Sequence, residues 1–138
     1  MTMQQPPPGE RGRVLDPTAV LDIATGRSIY SRALVDVALQ TGIVLAVPAA
    51  ALMEAWAGSP AAGRPFLVRL RALPVVVLEH LDGESAKAVG LLAAERSWPA
   101  SGVAHAVHVA RRRGWSIVTG DPEAVLALDP HVGFESLP

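Results

Sequence analysis

The chain has 138 residues, half of them hydrophobic, a net charge of -1 and no cysteine. That length suits one domain, and the near-neutral charge excludes a nucleic-acid binder driven by a large excess of Lys and Arg over phosphate, so any RNA contact must be a local patch. Disulfides and thiolate metal sites are excluded by composition, no apolar run approaches the roughly 18 residues of a membrane-spanning helix, and residues 1–9 lack the charged and apolar regions of a secretory signal; a cytoplasmic protein with no membrane partner is expected.

Residues 1–12, MTMQQPPPGERG, carry little apolar surface to offset the entropy of ordering and are expected to form a disordered tail, with a single domain over 13–138. From Arg13 on, short runs of branched apolar residues alternate with longer Ala/Leu/Arg stretches of helical period, the pattern of βαβ units around a parallel sheet. Arg13 to Leu15 reads as a first strand, followed by a short helix from Thr18 that fades by Thr25 and Gly26. Ser28 to Gln40 has helical spacing and a stop at Thr41-Gly42. Ile43 to Val47 reads as a strand, Pro48 opens a helix over Ala49 to Ala57, and another helix is expected over Ala62 to Ala72. Val75 to Leu78 is a continuous branched run that suits a strand buried on both faces.

Asp82 is expected to cap a helix running through Ala94, and Ser101 to cap one over Val103 to Arg113, whose terminal arginines complement its dipole. Gly114 closes that helix. Trp115 to Val118 is a fourth strand, Pro122 to Leu128 a short helix, and Val132 to Glu135 a weak edge strand. The expected fold is α/β: a central, mostly parallel sheet of about four or five strands between two helical layers.

In open parallel sheets ligands bind beyond the carboxyl ends of the strands, so acids placed just after strands carry weight. Asp16 and Asp121 meet that test. Glu54 is the one charge between Val47 and Gly58, on a helix otherwise built of Ala, Leu, Met and Trp, and an isolated carboxylate there needs a partner or solvent. Each has a plainer reading beside it. Asp16 and Asp121 stand where helix caps stand, Thr18 and Thr119 are hydroxyls near helix starts, and Glu54 sits where a side chain can reach solvent.

The segments VLDPTAVLDI, VPAAALMEAWAG, LPVVVLEHLDGESAKAVGLL and AHAVHVARRRGWSIVTGDPEAVLALDP, in that order, resemble the PIN-domain family, in particular its VapC-like toxin ribonucleases of actinobacterial type. The resemblance spans nearly the whole chain after residue 12. It implies a three-layer α/β/α domain that hydrolyses RNA phosphodiester bonds at a cluster of acids holding Mg²⁺ or Mn²⁺, in a homodimer restrained by a small antitoxin protein. Carried over by position, Asp16, Glu54 and Asp121 are catalytic and metal-binding acids, with Thr18 and Thr119 as supporting hydroxyls. The family's third acid is missing. Its Asp-Ala-His opening of the penultimate helix is here Val103-Ala104-His105, and no Asp or Glu occurs between Ser97 and Asp121. Weaker metal binding and reduced activity are expected. The competing reading is a catalytically inactive PIN-like module that binds protein or RNA.

The remaining candidates read as structural. Asp22, six residues after Asp16, could approach the cleft but is expected to be a solvated helix-end carboxylate. His105 and His108 could pair as ligands with an acid, but their HxxH spacing lacks the four-residue step and the Glu of a zinc helix. Arg111 to Arg113 are expected to be a solvated helix end, with RNA phosphate contact as the minority reading. Trp56, Trp98 and Trp115 are expected as core or interface anchors. The helices around Tyr30 to Leu39 and Phe66 to Leu73 are where the resemblance implies a dimer face. A phosphoacceptor receiver domain is rejected because Lys87, the one lysine, falls on a helix.

Overall fold

The computed structural model describes residues 11–95 and 101–138. Five strands, β1 (Gly12–Leu15), β2 (Val44–Pro48), β3 (Val76–Glu79), β4 (Ser116–Thr119) and β5 (Phe134–Ser136), form one sheet in the order β3-β2-β1-β4-β5 with every pairing parallel. The helices are α1 (Pro17–Thr25), α2 (Tyr30–Thr41), α3 (Ala49–Gly58), α4 (Arg64–Ala72), α5 (Gly83–Glu95), α6 (Ser101–Arg113) and α7 (Pro122–Leu128). The α/β class, the parallel sheet and the helices on both faces are as the sequence pattern implies. β1 begins at Gly12, inside the stretch read as tail; residues 1–10 and Trp98 lie outside the described residues.

Alternation along the strands sorts the side chains into two cores. Val14, Ala46 and Ile117 point to one face and pack with α5, α6 and α7 through Val89, Val107 and Leu128. Leu15, Leu45, Val47 and Val118 point to the other and pack with α1, α2 and α4 through Val20, Ala38 and Leu67. Fully burying a Leu, Ile or Val side chain contributes roughly 1.5–3 kcal/mol, so these two layers supply the main driving force. Helix ends follow local chemistry. Gly26, Gly42 and Gly114 stand at positive φ (64°, 78° and 70°) after α1, α2 and α6, the left-handed conformation in which a Cβ is strained.

One strand differs from expectation. The run Val75 to Leu78 was read as buried on both faces, yet β3 is an edge strand, with Val77 exposed. A continuous branched run reports β character, not position within a sheet, and α4 covers only part of it.

The topology places the site. From β1 the chain builds toward β2 and β3 on one side, then crosses to β4 and β5 on the other. The strand order therefore reverses between β1 and β4, and the crevice beyond the carboxyl ends of strands at such a switch point is where doubly wound sheets bind ligands.

Candidate functional site

Asp16 follows Leu15 directly and is the last residue to join the sheet: its N–H donates to the Val118 carbonyl at 3.2 Å. With extended backbone (φ -80°, ψ 176°) and Pro17 at the first helical position, it is the N-cap of α1. Its Oδ1 accepts from Ala19 N–H at 3.0 Å and from the Thr18 hydroxyl at 2.6 Å. Asp16 is fully buried, and its Oδ2 has no hydrogen-bond partner. A buried ionised oxygen without a partner is costly. Burial accordingly raises the Asp16 pKa above its usual range, and the Thr119 and Thr18 hydroxyls and the Ala19 and Thr18 amides only moderate the rise. Thr119 lies close enough to exert that influence without reaching hydrogen-bond geometry at Oδ2.

Thr18 spans the crevice. Its oxygen accepts from Gly120 N–H at 2.6 Å, so its own proton is free to go to Asp16. Thr119 is also fully buried, and its oxygen accepts from Asp121 N–H at 2.9 Å. Asp121 caps α7, with its Oδ1 accepting from Ala124 N–H at 3.3 Å, and it is exposed. Both expected acids after strands are thus helix caps, as the plainer reading held. Capping uses one oxygen of each and leaves the second available.

Glu54 reaches the same rim from α3. Its carboxylate lies against the Cα of Gly102 at the start of α6, where a Cβ would collide with it and would also come within 2.5 Å of Pro17 Cγ. Glu54 therefore sits beside the residue that follows Asp16 and beside the residue that precedes Val103. Val103 is buried among Ala104, Val107 and their neighbours, so the position where the resemblance asks for an acid is part of the apolar core. Among the described residues, no three His, Asp or Glu side chains converge closely enough to hold a metal ion. Asp16, Glu54 and Asp121 share one end of the sheet without forming a tight cluster.

Among the neighbouring groups, Asp22 departs from expectation. Asp22 is buried, not solvated: it accepts from Ser28 N–H at 2.9 Å and from the Ser28 hydroxyl at 2.7 Å. Burial alone would raise its pKa, but hydrogen bonding from Ser31 and Ser28 outweighs it and the carboxyl is held low; the Ser31 hydroxyl acts from just outside bonding geometry. The terminal arginines of α6 are ion-paired. Arg113 and Arg112 address Glu79 at 2.5 and 4.0 Å, and Arg111 addresses Asp129 at 3.0 Å. Arg113 also stacks over Trp115, 4.7 Å from the ring centre. Trp115 packs on the core, whereas Trp56 is partly exposed.

His105, set aside as a ligand, proves to be the most buried imidazole, with its Nδ1 accepting from Ala50 N–H at 3.3 Å. Burial pushes its pKa down, His108 pushes the same way, and Glu79 opposes them. Nothing in the sequence near His105 points to Ala50, which is 55 residues away. Gly102 likewise carries no local signal of the side chain that rests on it. No helix among the described residues is long and apolar enough to cross a membrane. No protein-family model matches the chain, and no curated protein is significantly similar to it.

Proposed function

We propose that this chain is a cytoplasmic PIN-like endoribonuclease with a reduced acidic site, hydrolysing RNA phosphodiester bonds with Mg²⁺ or Mn²⁺. The observation that carries the reading is the Oδ2 of Asp16: a fully buried carboxylate oxygen without a partner, at the point where the strand order reverses. Such an oxygen is a ligand suited to a hard divalent ion, and Mg²⁺ commonly uses one or two carboxylates while keeping several waters. Asp16 would hold the ion directly, and Asp121 and Glu54 would act from the rim through its waters. The bound ion would supply an activated water and charge compensation at the phosphate.

The protein's own groups have definable parts in this reading. The proton of Thr18 is committed to Asp16 Oδ1 because its oxygen already accepts from Gly120, which turns Oδ2 into the free ligand. Thr119, with its oxygen occupied by Asp121 N–H, keeps a proton to donate toward the same carboxylate. A homodimer restrained by a small antitoxin belongs to the same proposal. Its support is the exposed Leu39 on α2, which with Phe66 and Leu73 lines a groove of about 340 Å³ between α2 and α4.

A second reading has its own observation. Val103 is embedded in the core and no three-acid group is present among the described residues, which favours an inactive PIN-like module kept for binding protein or RNA. Incubation with a mixed RNA pool, with Mn²⁺ or with EDTA, separates the two. EDTA-sensitive cleavage that disappears in Asp16→Asn and Asp121→Asn is the expected result; cleavage that survives both substitutions removes the site assignment, and no cleavage at all favours the interaction module.

A further inference from the structure

We propose that His105 caps the amino end of α3 from a neighbouring helix and thereby sets where Glu54 lies, making it a positioning residue for the acidic rim. The functional consequence rests on the reading of Glu54 as a site residue; the cap itself does not.

Helix α3 starts without a cap of its own. Pro48 occupies the N-cap position in extended conformation (φ -64°, ψ 136°) and has no side chain able to accept a hydrogen bond. The first-turn amides of a helix have no partner within it, and Ala50 is buried, so water does not serve its N–H. The acceptor is Nδ1 of His105. The remaining surroundings of the ring fit that role. The backbone of His80 lies close to the ring, and the charged and titratable groups that influence it are His108 and Arg112 on α6 and Glu79 at the end of β3. An imidazole accepts at Nδ1 only when that nitrogen is unprotonated, so the cap exists in the neutral ring with its proton on Nε2.

The same seam carries Glu54. Ala50 and Glu54 are four residues apart on α3, and Gly102 and His105 are three apart on α6, so each pair shares one helix face. Ala50 meets His105 and Glu54 meets Gly102: advancing one turn along α3 means retreating one turn along α6. The helices run antiparallel along this line and touch at two rungs. The absent side chain at Gly102 lets the second rung close, and the His105 hydrogen bond fixes the first. Loss of the first rung frees the start of α3 and lets Glu54 drift from Pro17 and the crevice.

The test uses NMR of the metal-free full chain, with Mn²⁺ titration as a second arm. In the wild type the expected result is an unprotonated Nδ1 and a slowly exchanging Ala50 amide, an unusual property for a first-turn helix position. His105→Asn, whose Oδ1 stands in for Nδ1, keeps that protection; His105→Leu, of similar bulk without an acceptor, speeds Ala50 exchange about tenfold or more and weakens Mn²⁺ binding, while His105→Asn retains it. A protonated Nδ1, or equal Ala50 exchange in wild type and His105→Leu, overturns the proposal. If His105→Leu does not fold, the wild-type tautomer and the protection of Ala50 in His105→Asn decide the matter. If the wild type binds no Mn²⁺, the nuclease reading fails while the exchange arm still judges the cap.

Discussion

The carboxylate of Glu54 occupies the space that a side chain at Gly102 would fill, with Pro17 closing the other side. Three helices, α1, α3 and α6, meet at that point through one residue each. Gly102→Ala therefore strains the junction: the Glu54 tip can swing away, but the Pro17 ring cannot. A loss of about 1–3 kcal/mol is expected, as for other overpacking substitutions. Removing the Glu54 side chain should recover part of it, so a double-mutant cycle of Gly102→Ala with Glu54→Ala, read by urea unfolding, should show clear coupling. Strict additivity would mean that the two residues do not touch.

Asp16 sets stability against function. Its Oδ1 caps α1, while its Oδ2 is buried without a partner. Asp16→Asn keeps the capping oxygen and removes the buried charge, so in EDTA the variant should be more stable than the wild type by about 1 kcal/mol or more, a rise of a few degrees in Tm. Asp16→Ala loses the cap as well, and its gain should be smaller by about 1 kcal/mol. Differential scanning calorimetry of the three proteins checks this; an Asn variant less stable than the wild type would contradict it.

Val103→Asp is the complementary substitution. Placed in the apolar packing of α6, one residue on from the Gly102 against which Glu54 rests, a new carboxylate should destabilise the metal-free protein by a few kcal/mol. Mn²⁺ should recover much of that loss, because a cation satisfies the added acid. Thermal melts with Mn²⁺ and with EDTA read the difference directly, and a variant equally destabilised in both conditions would show that position 103 does not face the crevice.

The pH dependence follows from the histidines. His105 and His108 are both held below their ordinary value of 6.5, in each case first by burial. The unfolded chain therefore takes up protons that the folded one refuses, and stability should be full above pH 6.5 and fall as the pH drops below it. Asp16 acts in the opposite sense. Its raised pKa lets the folded state hold a proton that the unfolded state has already released, so ionising it erodes stability as the pH rises above the usual 3.8. Urea midpoints across the mildly acidic range should decline toward low pH, and His105→Asn should flatten that decline; an unchanged slope in the variant would remove His105 from the account.

Local chemistry was legible in the sequence; tertiary pairing was not. Gly26, Gly42 and Gly114 mark helix ends in the chain and adopt left-handed backbone in the structure. Asp16 and Asp121 could be read both as caps and as acids after strands, because a residue between a strand and a helix start occupies both positions at once. Val75 to Leu78 announces a strand, but only the assembled sheet makes it an edge. Arg111 and Arg112 are exposed, as a solvated helix end implies, but the ion pairs of Arg111 to Arg113 were not legible because Glu79 and Asp129 lie elsewhere in the chain. His105 and Ala50 are 55 residues apart, with α4, β3 and α5 between them, and no spacing rule links them.

The most direct test of the central claim is calorimetric titration of the wild type and Asp16→Asn with Mn²⁺. Saturable binding by the wild type that disappears in Asp16→Asn is the predicted result. No binding by the wild type, or equal binding by both proteins, would contradict the assignment of the buried Asp16 oxygen as a metal ligand.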